Sequence, residues 1–261
     1  MRKNKWLRRI LLIILVVAAA GMLLGKPLMG LYREVLFYMG NPTETEMRVM
    51  EYAKENDISY GAYPESMIAL LERNPETEAF VLEYPVYEKQ EYDLEEYEAS
   101  ETVPLFMQWD QRWGYNRYGS DVMGITGCGP TCLAMVGFYL TGDAETFDPA
   151  SVARFAEING YYASGYGSSW TLISEGGERL GLDVTEIPLV KKRMVDNVEV
   201  GNPIILAMGA GDFTSTGHYI VIVGMKDGMF VVNDPNSAEN SGKLWSYEQL
   251  EGQIRNLWVV R

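Results

Sequence analysis

Gly127-Cys128-Gly129-Pro130-Thr131 reads as the start of a helix, and the rest of the chain can be organised around it. Pro130 suits a first helical turn, where its missing N–H costs nothing. Leu133, Met135, Val136 and Leu140 follow as a core-facing set, and Gly142 marks the stop. A thiol at the head of this helix faces free backbone N–H groups and the positive end of the helix dipole, which favours the nucleophilic thiolate. The flanking glycines are expected to leave its surroundings sterically open. Cys128 can equally be a small buried core residue, the commoner fate of a cysteine. Cys132, one turn further on, has no nucleophile features and reads as core. The two thiols are the chain's only cysteines. On a helix their Cβ atoms lie roughly 5–6 Å apart, too far for a relaxed disulfide.

Downstream, the pattern continues with two more helices. Asp148-Pro149 is an N-cap followed by proline, with Asn159-Gly160 as the stop. Ser168-Ser169 is expected to cap a third helix running past Trp170 to Gly181. Strands then take over: Leu182–Ile187, Pro203–Met208, His218–Gly224, Met229–Asn233 and Ile254–Val260, with a short helix near Pro188–Val198. Helices first and a mostly antiparallel sheet second define an α+β domain.

The chain holds a single histidine, so any Cys–His chemistry must use His218. It heads the apolar run Tyr219-Ile220-Val221-Ile222-Val223-Gly224. A lone histidine at a strand end is often structural; its potential partner gives it weight here. Lys226-Asp227-Gly228 suits a three-residue hairpin loop closed by a left-handed glycine. Met225 then faces Met229, and Asp234 lies opposite Ile220, on the sheet face of His218 and one step along. A carboxylate there can orient an imidazole and stabilise its protonated form. Slipping the turn by one residue would bring Asn233 to that face instead, and an amide can also hold the ring. Asn233-Asp234-Pro235-Asn236 also has the composition of a plain turn.

Upstream of the domain, Thr43-Glu44-Thr45-Glu46 opens a helix through Met47, Val49, Met50 and Ala53 that stops at Asn56-Asp57. Tyr63-Pro64-Glu65-Ser66 opens a second through Met67, Ile68, Leu70 and Leu71. Glu83 to Glu101 carries eight acidic residues and one basic one among tyrosines, and reads as a solvated connection partly tied down by its aromatics. At the amino terminus, residues 1–33 hold seven basic residues and no acid, leaving 15 basic and 36 acidic residues for the remainder. That acidic remainder repels phosphate backbones and anionic lipid, which excludes nucleic acid as its partner. Ile10 to Gly25 has no charge, and with Trp6, Leu7 and a snorkelling Lys26 it approaches the ~20 residues that span a bilayer. The basic flank stays cytoplasmic and sends the rest outside. Ala18-Ala19-Ala20 offers a signal-peptidase site, the rival reading, which would release a secreted protein. No cysteine near the end of the segment could take a lipid. The expected organisation is a membrane anchor over 1–27, a helical and acidic region over 28–102, and a catalytic domain over 103–261.

Three motifs together, Gly127–Thr131, Gly217–Gly224 and Asn233-Asp234-Pro235, resemble in order and spacing the C39-like peptidases, papain-fold relatives of the bacteriocin-processing cysteine proteases. Pro104-Leu105-Phe106-Met107-Gln108-Trp109-Asp110-Gln111-Arg112-Trp113 resembles the segment before the cysteine in the free-standing branch of that family. Tyr63 to Pro85 looks like a stretch found ahead of such domains in Gram-positive bacteria. The resemblance implies Cys128 as nucleophile, His218 as base and Asp234 as its orienter. It also implies an oxyanion-hole glutamine. In the exporter-linked members this lies six residues before the cysteine, where the present chain has Val122, so Gln108 is the candidate, with Gln111 behind it. Trp109 and Trp113 are expected in the core. The substrate expected is a peptide or protein, and no metal or organic cofactor is implied. A catalytically silent peptide-binding module and a thioester-forming acyl transferase on the same fold stand as alternatives, because both keep the same residues. Cys128 and Cys132 are one residue too far apart for a Cys-x-x-Cys redox pair, and a zinc site from Cys128, Cys132, His218 and Asp234 would have unusual spacing.

Overall fold

The computed structural model describes residues 39–40, 42–98, 101–165 and 167–261. The expected membrane anchor over residues 1–27 lies outside these, and among the described residues no helix is long and apolar enough to cross a membrane. The chain divides between Tyr87 and Glu88 into two compact units.

The smaller unit is helical. In α1 (Glu44–Glu55) Thr43 and Glu46 form a reciprocal capping box, and Val49 and Ala53 are buried. In α2 (Glu65–Arg73) Met67, Ile68, Leu70 and Leu71 turn inward. Buried Phe80, Val81 and Leu82 come from α3 (Glu78–Glu83). Tyr63, fully buried, donates its hydroxyl to the Leu82 carbonyl at 2.8 Å and so ties the start of α2 to the end of α3.

The larger unit begins before the boundary read from the sequence. Leu94 is buried in the same core as Val103, Phe106 and Trp113, and Tyr92 and Tyr97 pack against it. Its elements run in the order β1 (Arg117–Tyr118), β2 (Asp121–Val122), α4 (Cys128–Thr141), α5 (Pro149–Ile158), β3 (Tyr162–Ala163), β4 (Gly167–Ser168), α6 (Ser174–Arg179), β5 (Val184–Glu186), α7 (Lys191–Val198), β6 (Ile204–Met208), β7 (His218–Lys226), β8 (Met229–Asn233), α8 (Ala238–Ser241), β9 (Leu244–Trp245) and β10 (Ile254–Val260). Six strands form one antiparallel sheet in the order β5-β10-β6-β7-β8-β9. Both faces of its centre are covered. On one, Ile205, Ala207, Tyr219, Val221, Trp258 and Val260 meet the inward side of α4. On the other, Ile204, Leu206, Ile220, Ile222, Leu257 and Val259 meet Met194 and Val198 of α7. Two-sided burial explains why β6 and β7 read as unbroken apolar runs with no polar alternation.

Two local expectations are corrected. The β7–β8 turn holds two residues, not three: Asp227 and Gly228 both have positive φ, at 52° and 75°, and Lys226 pairs with Met229. Asp-Gly is favoured in such a turn because its handedness matches the twist of the strands. One extra residue in β7, Val223, then shifts the ladder, so that Ile222 meets Val232 and Val221 meets Asn233. The bulge restores the register that sets Asp234 beside His218. The second correction concerns Ser168-Ser169. Ser168 belongs to β4, a 3₁₀ turn occupies Trp170–Leu172, and the helix proper starts at Ser174. The Ser168 hydroxyl is engaged with Tyr118 across the core at 2.7 Å.

Phe147 packs over α4 where Gly137 presents no side chain; a Cβ there would lie 2.0 Å from the ring. Gly137→Ala should therefore destabilise the unit by about 1–3 kcal/mol, overpacking outweighing the ~1 kcal/mol that alanine gains in a helix. Urea unfolding of G137A, and of G137A with Phe147→Leu, checks this: the second substitution should recover part of the loss.

Candidate active site

The site stands at the end of the sheet, where the first residue of α4 meets the first residue of β7. A one-turn helix, Met123–Thr126, feeds into Gly127, whose N–H donates back to the Met123 carbonyl at 2.8 Å. Thr131 closes the first turn of α4 by donating its backbone N–H and its hydroxyl to the Gly127 carbonyl, at 3.0 and 2.8 Å. Cys128 is half-buried at the helix head, and Cys132 below it is fully buried, as expected of a core thiol. The flanking glycines do not leave open space. A Cβ on Gly129 would lie 2.6 Å from the Ser168 hydroxyl, and one on Gly127 would lie 2.6 Å from the Met123 carbonyl oxygen. They let β4 and the preceding turn close tightly against the helix start.

His218 opens β7 opposite Met208 and is buried. By strand alternation it belongs to the face of Ile220 and Ile222, opposite the face against which α4 packs. Only at the strand's end can its ring reach the head of that helix. Cys128 there is a further group that favours the charged form of the imidazole. Its Nε2 lies 2.7 Å from Asp234 Oδ1. A carboxylate partner fixes the proton on Nε2, which leaves Nδ1 for the sulfur.

Asp234 is 1% exposed. Oδ1 also accepts the Asn236 N–H at 2.8 Å, and Oδ2 accepts Asn240 Nδ2 at 3.0 Å. Its own N–H donates to Ser241 Oγ at 2.9 Å. Burial works to raise the carboxyl's pKa, but the His218 charge and these donors hold it below the usual carboxylate value. Burial likewise opposes charge on His218. The charge and hydrogen bond of Asp234, with Cys128 adding to them, overcome that and raise the imidazole to about 10. Asn233, the other candidate for this role, faces the helix side instead. Its Nδ2 donates to the carbonyls of Val103 and Pro104, both at 3.0 Å, and so fastens the segment that leads to Gln108.

Gln108 is brought to the same place from two directions. Its N–H donates to the Pro235 carbonyl at 2.7 Å, next to Asp234, and its Nε2 donates to the Gly124 carbonyl at 2.9 Å, in the turn before Cys128. Its Oε1 is buried without a partner among the described residues. Val122, at the alternative glutamine position, lies in β2. Trp113 is fully buried, as expected, and Trp109 is half-buried with its indole N–H on the Asn236 carbonyl at 3.0 Å.

Four participants escaped the sequence reading. Asn240 supports Asp234. Tyr118 and Tyr219 both converge on Ser168, Tyr219 donating to its carbonyl at 3.2 Å, and together these hold β4 against the head of α4. Tyr219 carried a signal, as the neighbour of His218, and Asn240 lies six residues from Asp234; Tyr118 and Ser168 come from segments remote in sequence.

Residues 100–260 match the model of the Peptidase_C39 like family, and the chain belongs to that family. Membership implies cysteine peptidase activity. Similar solved structures include the peptidase domain of Streptococcus ComA, a bi-functional ABC transporter involved in a quorum sensing pathway. It is 22% identical over 51% of this chain and 89% of that one, with a TM-score of 0.39. The peptidase domain of Streptococcus mutans ComA in complex with a small-molecule inhibitor is 20% identical over 39% of this chain and 80% of its own, with a TM-score of 0.31. A crystal structure described as a C39-like peptidase from Bacillus anthracis is 14% identical over 62% and 98%, with a TM-score of 0.37. No curated protein matches the chain.

The single histidine makes the electrostatics directly measurable. An NMR titration of the His218 ring should show its midpoint near 10, far above the ~6.5 of an unfolded chain. A folded-state pKa above the unfolded one means that the pair's stabilisation is complete below pH ~6.5 and is lost as pH rises through the folded value. Denaturation midpoints should therefore fall over that window in the wild type and fall less in His218→Gln. A midpoint at or below 6.5 would sink this account.

Proposed function

We propose that the chain is a membrane-anchored, extracytoplasmic cysteine peptidase with a papain-like Cys–His–Asp arrangement acting on a peptide or protein. The observation that carries the reading is the buried His218–Asp234 pair, 2.7 Å apart, set against a thiol at a helix head. The anchor and the extracytoplasmic placement rest on the charge-free run Ile10–Gly25 behind the basic cluster Arg2–Arg9.

In this mechanism His218 Nδ1 takes the proton of the Cys128 thiol, and the sulfur attacks the acyl carbon of the substrate. Asp234 keeps the imidazolium upright and compensates its charge as the carbonyl oxygen becomes negative. That oxygen is received by the backbone N–H of Cys128 and by the second proton of Gln108 Nε2, the first being committed to Gly124. Donors fixed before reaction need no reorganisation at the moment charge develops. His218 then protonates the leaving amine, and a thioester remains. Water, losing a proton to the same nitrogen, attacks it and restores the thiol.

Two measurements test the scheme. Iodoacetamide should alkylate Cys128 faster than a free thiol and leave Cys132 unmodified, and His218→Ala should slow that reaction. If Cys128 reacts at the free-thiol rate regardless of His218, the nucleophile assignment fails. In hydrolysis of a peptide library read by mass spectrometry, Cys128→Ala should abolish cleavage. Gln108→Ala should lower kcat about 10²–10³-fold with KM little changed, as expected when one oxyanion donor is lost. For topology, membrane-fraction protein should keep its residue 1–20 segment; a mature start near Gly21 would replace the anchor with a cleaved signal.

A further inference from the structure

We propose that Asn240 is a positioning residue of this site, its side-chain amide holding the Asp234 carboxylate in the orientation that serves His218. The inference rests on the Cys–His–Asp reading above. A carboxylate has two equivalent oxygens and a broad torsion about its last bond, so one hydrogen bond to an imidazole does not fix its plane. Here each oxygen has its own donors: His218 Nε2 and the Asn236 N–H on Oδ1, Asn240 Nδ2 on Oδ2 at 3.0 Å. The backbone that carries this amide is itself held. The Asn240 main-chain N–H donates to Ser237 Oγ at 3.1 Å, and its main-chain carbonyl accepts Trp245 Nε1 at 3.0 Å. Trp245 in turn packs on Phe213, with ring centroids 4.5 Å apart, and Phe213 lies in the loop that delivers His218. One indole thus steadies the loops that carry both members of the pair.

The chemistry of the residue matters as much as its place. A lysine or arginine at position 240 would also hold the carboxylate, but its positive charge would compete with the imidazolium for Asp234. A neutral amide supplies direction and leaves the negative charge for His218. The titratable group acting on Asp234 is His218 of β7; Cys128 acts on His218, and the Asp234 charge helps keep the buried Cys132 of α4 a neutral thiol. Glu239, beside Asn240, is exposed and paired with Lys243.

The test uses the full-length chain labelled with ¹⁵N-histidine, which reports one residue. Two quantities are read: the rate of Cys128 alkylation by iodoacetamide at neutral pH, and the acid transition in the His218 ring signals as Asp234 takes up a proton. Asn240→Leu should slow alkylation about 3–10-fold and move the acid transition upward by about one pH unit, since a donor to the charged form is gone. If N240L fails to fold, Asn240→Asp keeps the shape and puts a like charge beside Asp234, and should move the transition further in the same direction. A purely structural role for Asn240 would change thermal stability and leave the acid transition in place. An unmoved transition in a folded variant overturns the proposal. His218→Ala separates this from the underlying reading: if Cys128 alkylation ignores His218, the reading fails, whereas the Asp234 transition still judges Asn240.

Discussion

A carboxylate taken out of water keeps its charge only where the protein returns most of what hydration supplied. Asp234 is in that position, almost wholly buried, and its principal creditor is one imidazole 2.7 Å away. The dependence is mutual, since Asp234 contributes most to keeping the buried imidazole charged. Breaking such a pair from one side leaves an uncompensated charge in the interior, far costlier than the pair is valuable. Much of the local architecture can be understood as keeping the two together. The β7–β8 ladder sets their height, the Asn236–Ser241 turn wraps the carboxylate, and two indoles, Trp109 and Trp245, fasten that turn to its surroundings.

The nucleophile is added to this pair by close approach of backbone. Gly127 and Gly129 lack side chains where the preceding turn and Ser168 come within 2.6 Å of a Cβ position. Ser168 is in turn held by Tyr118 and Tyr219, the latter a neighbour of His218 on β7. The helix carrying Cys128 and the strand carrying His218 are therefore joined through a third segment, as well as through the packing of Tyr219 and Val221 on α4.

Much of this was legible from residues alone. Capping chemistry located α1, α4 and α5, because Thr43, Pro130 and Asp148-Pro149 act locally and need no tertiary help. The strands from β6 onward were legible because their apolar runs are bounded by glycine, proline and acidic turns. What could not be read was whatever depended on contacts between distant segments. Ser168 looks like a helix cap until Tyr118, fifty residues earlier, claims its hydroxyl. The tyrosines of the acidic stretch can be expected to tie it down, but which partners they find cannot be read: Tyr92 packs on Trp113 at 5.7 Å. Asn240 looks like any turn residue until the fold brings it over Asp234. Asn233 and Asp234 are separable only by register: a three-residue turn without a bulge and the observed two-residue turn with one both set Asp234 beside His218.

That equivalence has a consequence for how the hairpin can change over evolutionary time. Side chains on a strand obey an odd–even rule, so the two-residue turn and the extra residue at Val223 form a matched pair whose combined count decides which face Asp234 occupies. A homologue that lengthens the turn by one residue would have to lose the bulge in the same lineage, or its acid would be carried to the opposite face, where Asn233 now stands. Turns that change by two residues are free of this coupling. Length variation at Asp227-Gly228 should thus be quantised, with the arithmetic of the ladder, sixteen residues around from histidine to acid, acting as a parity check on the site.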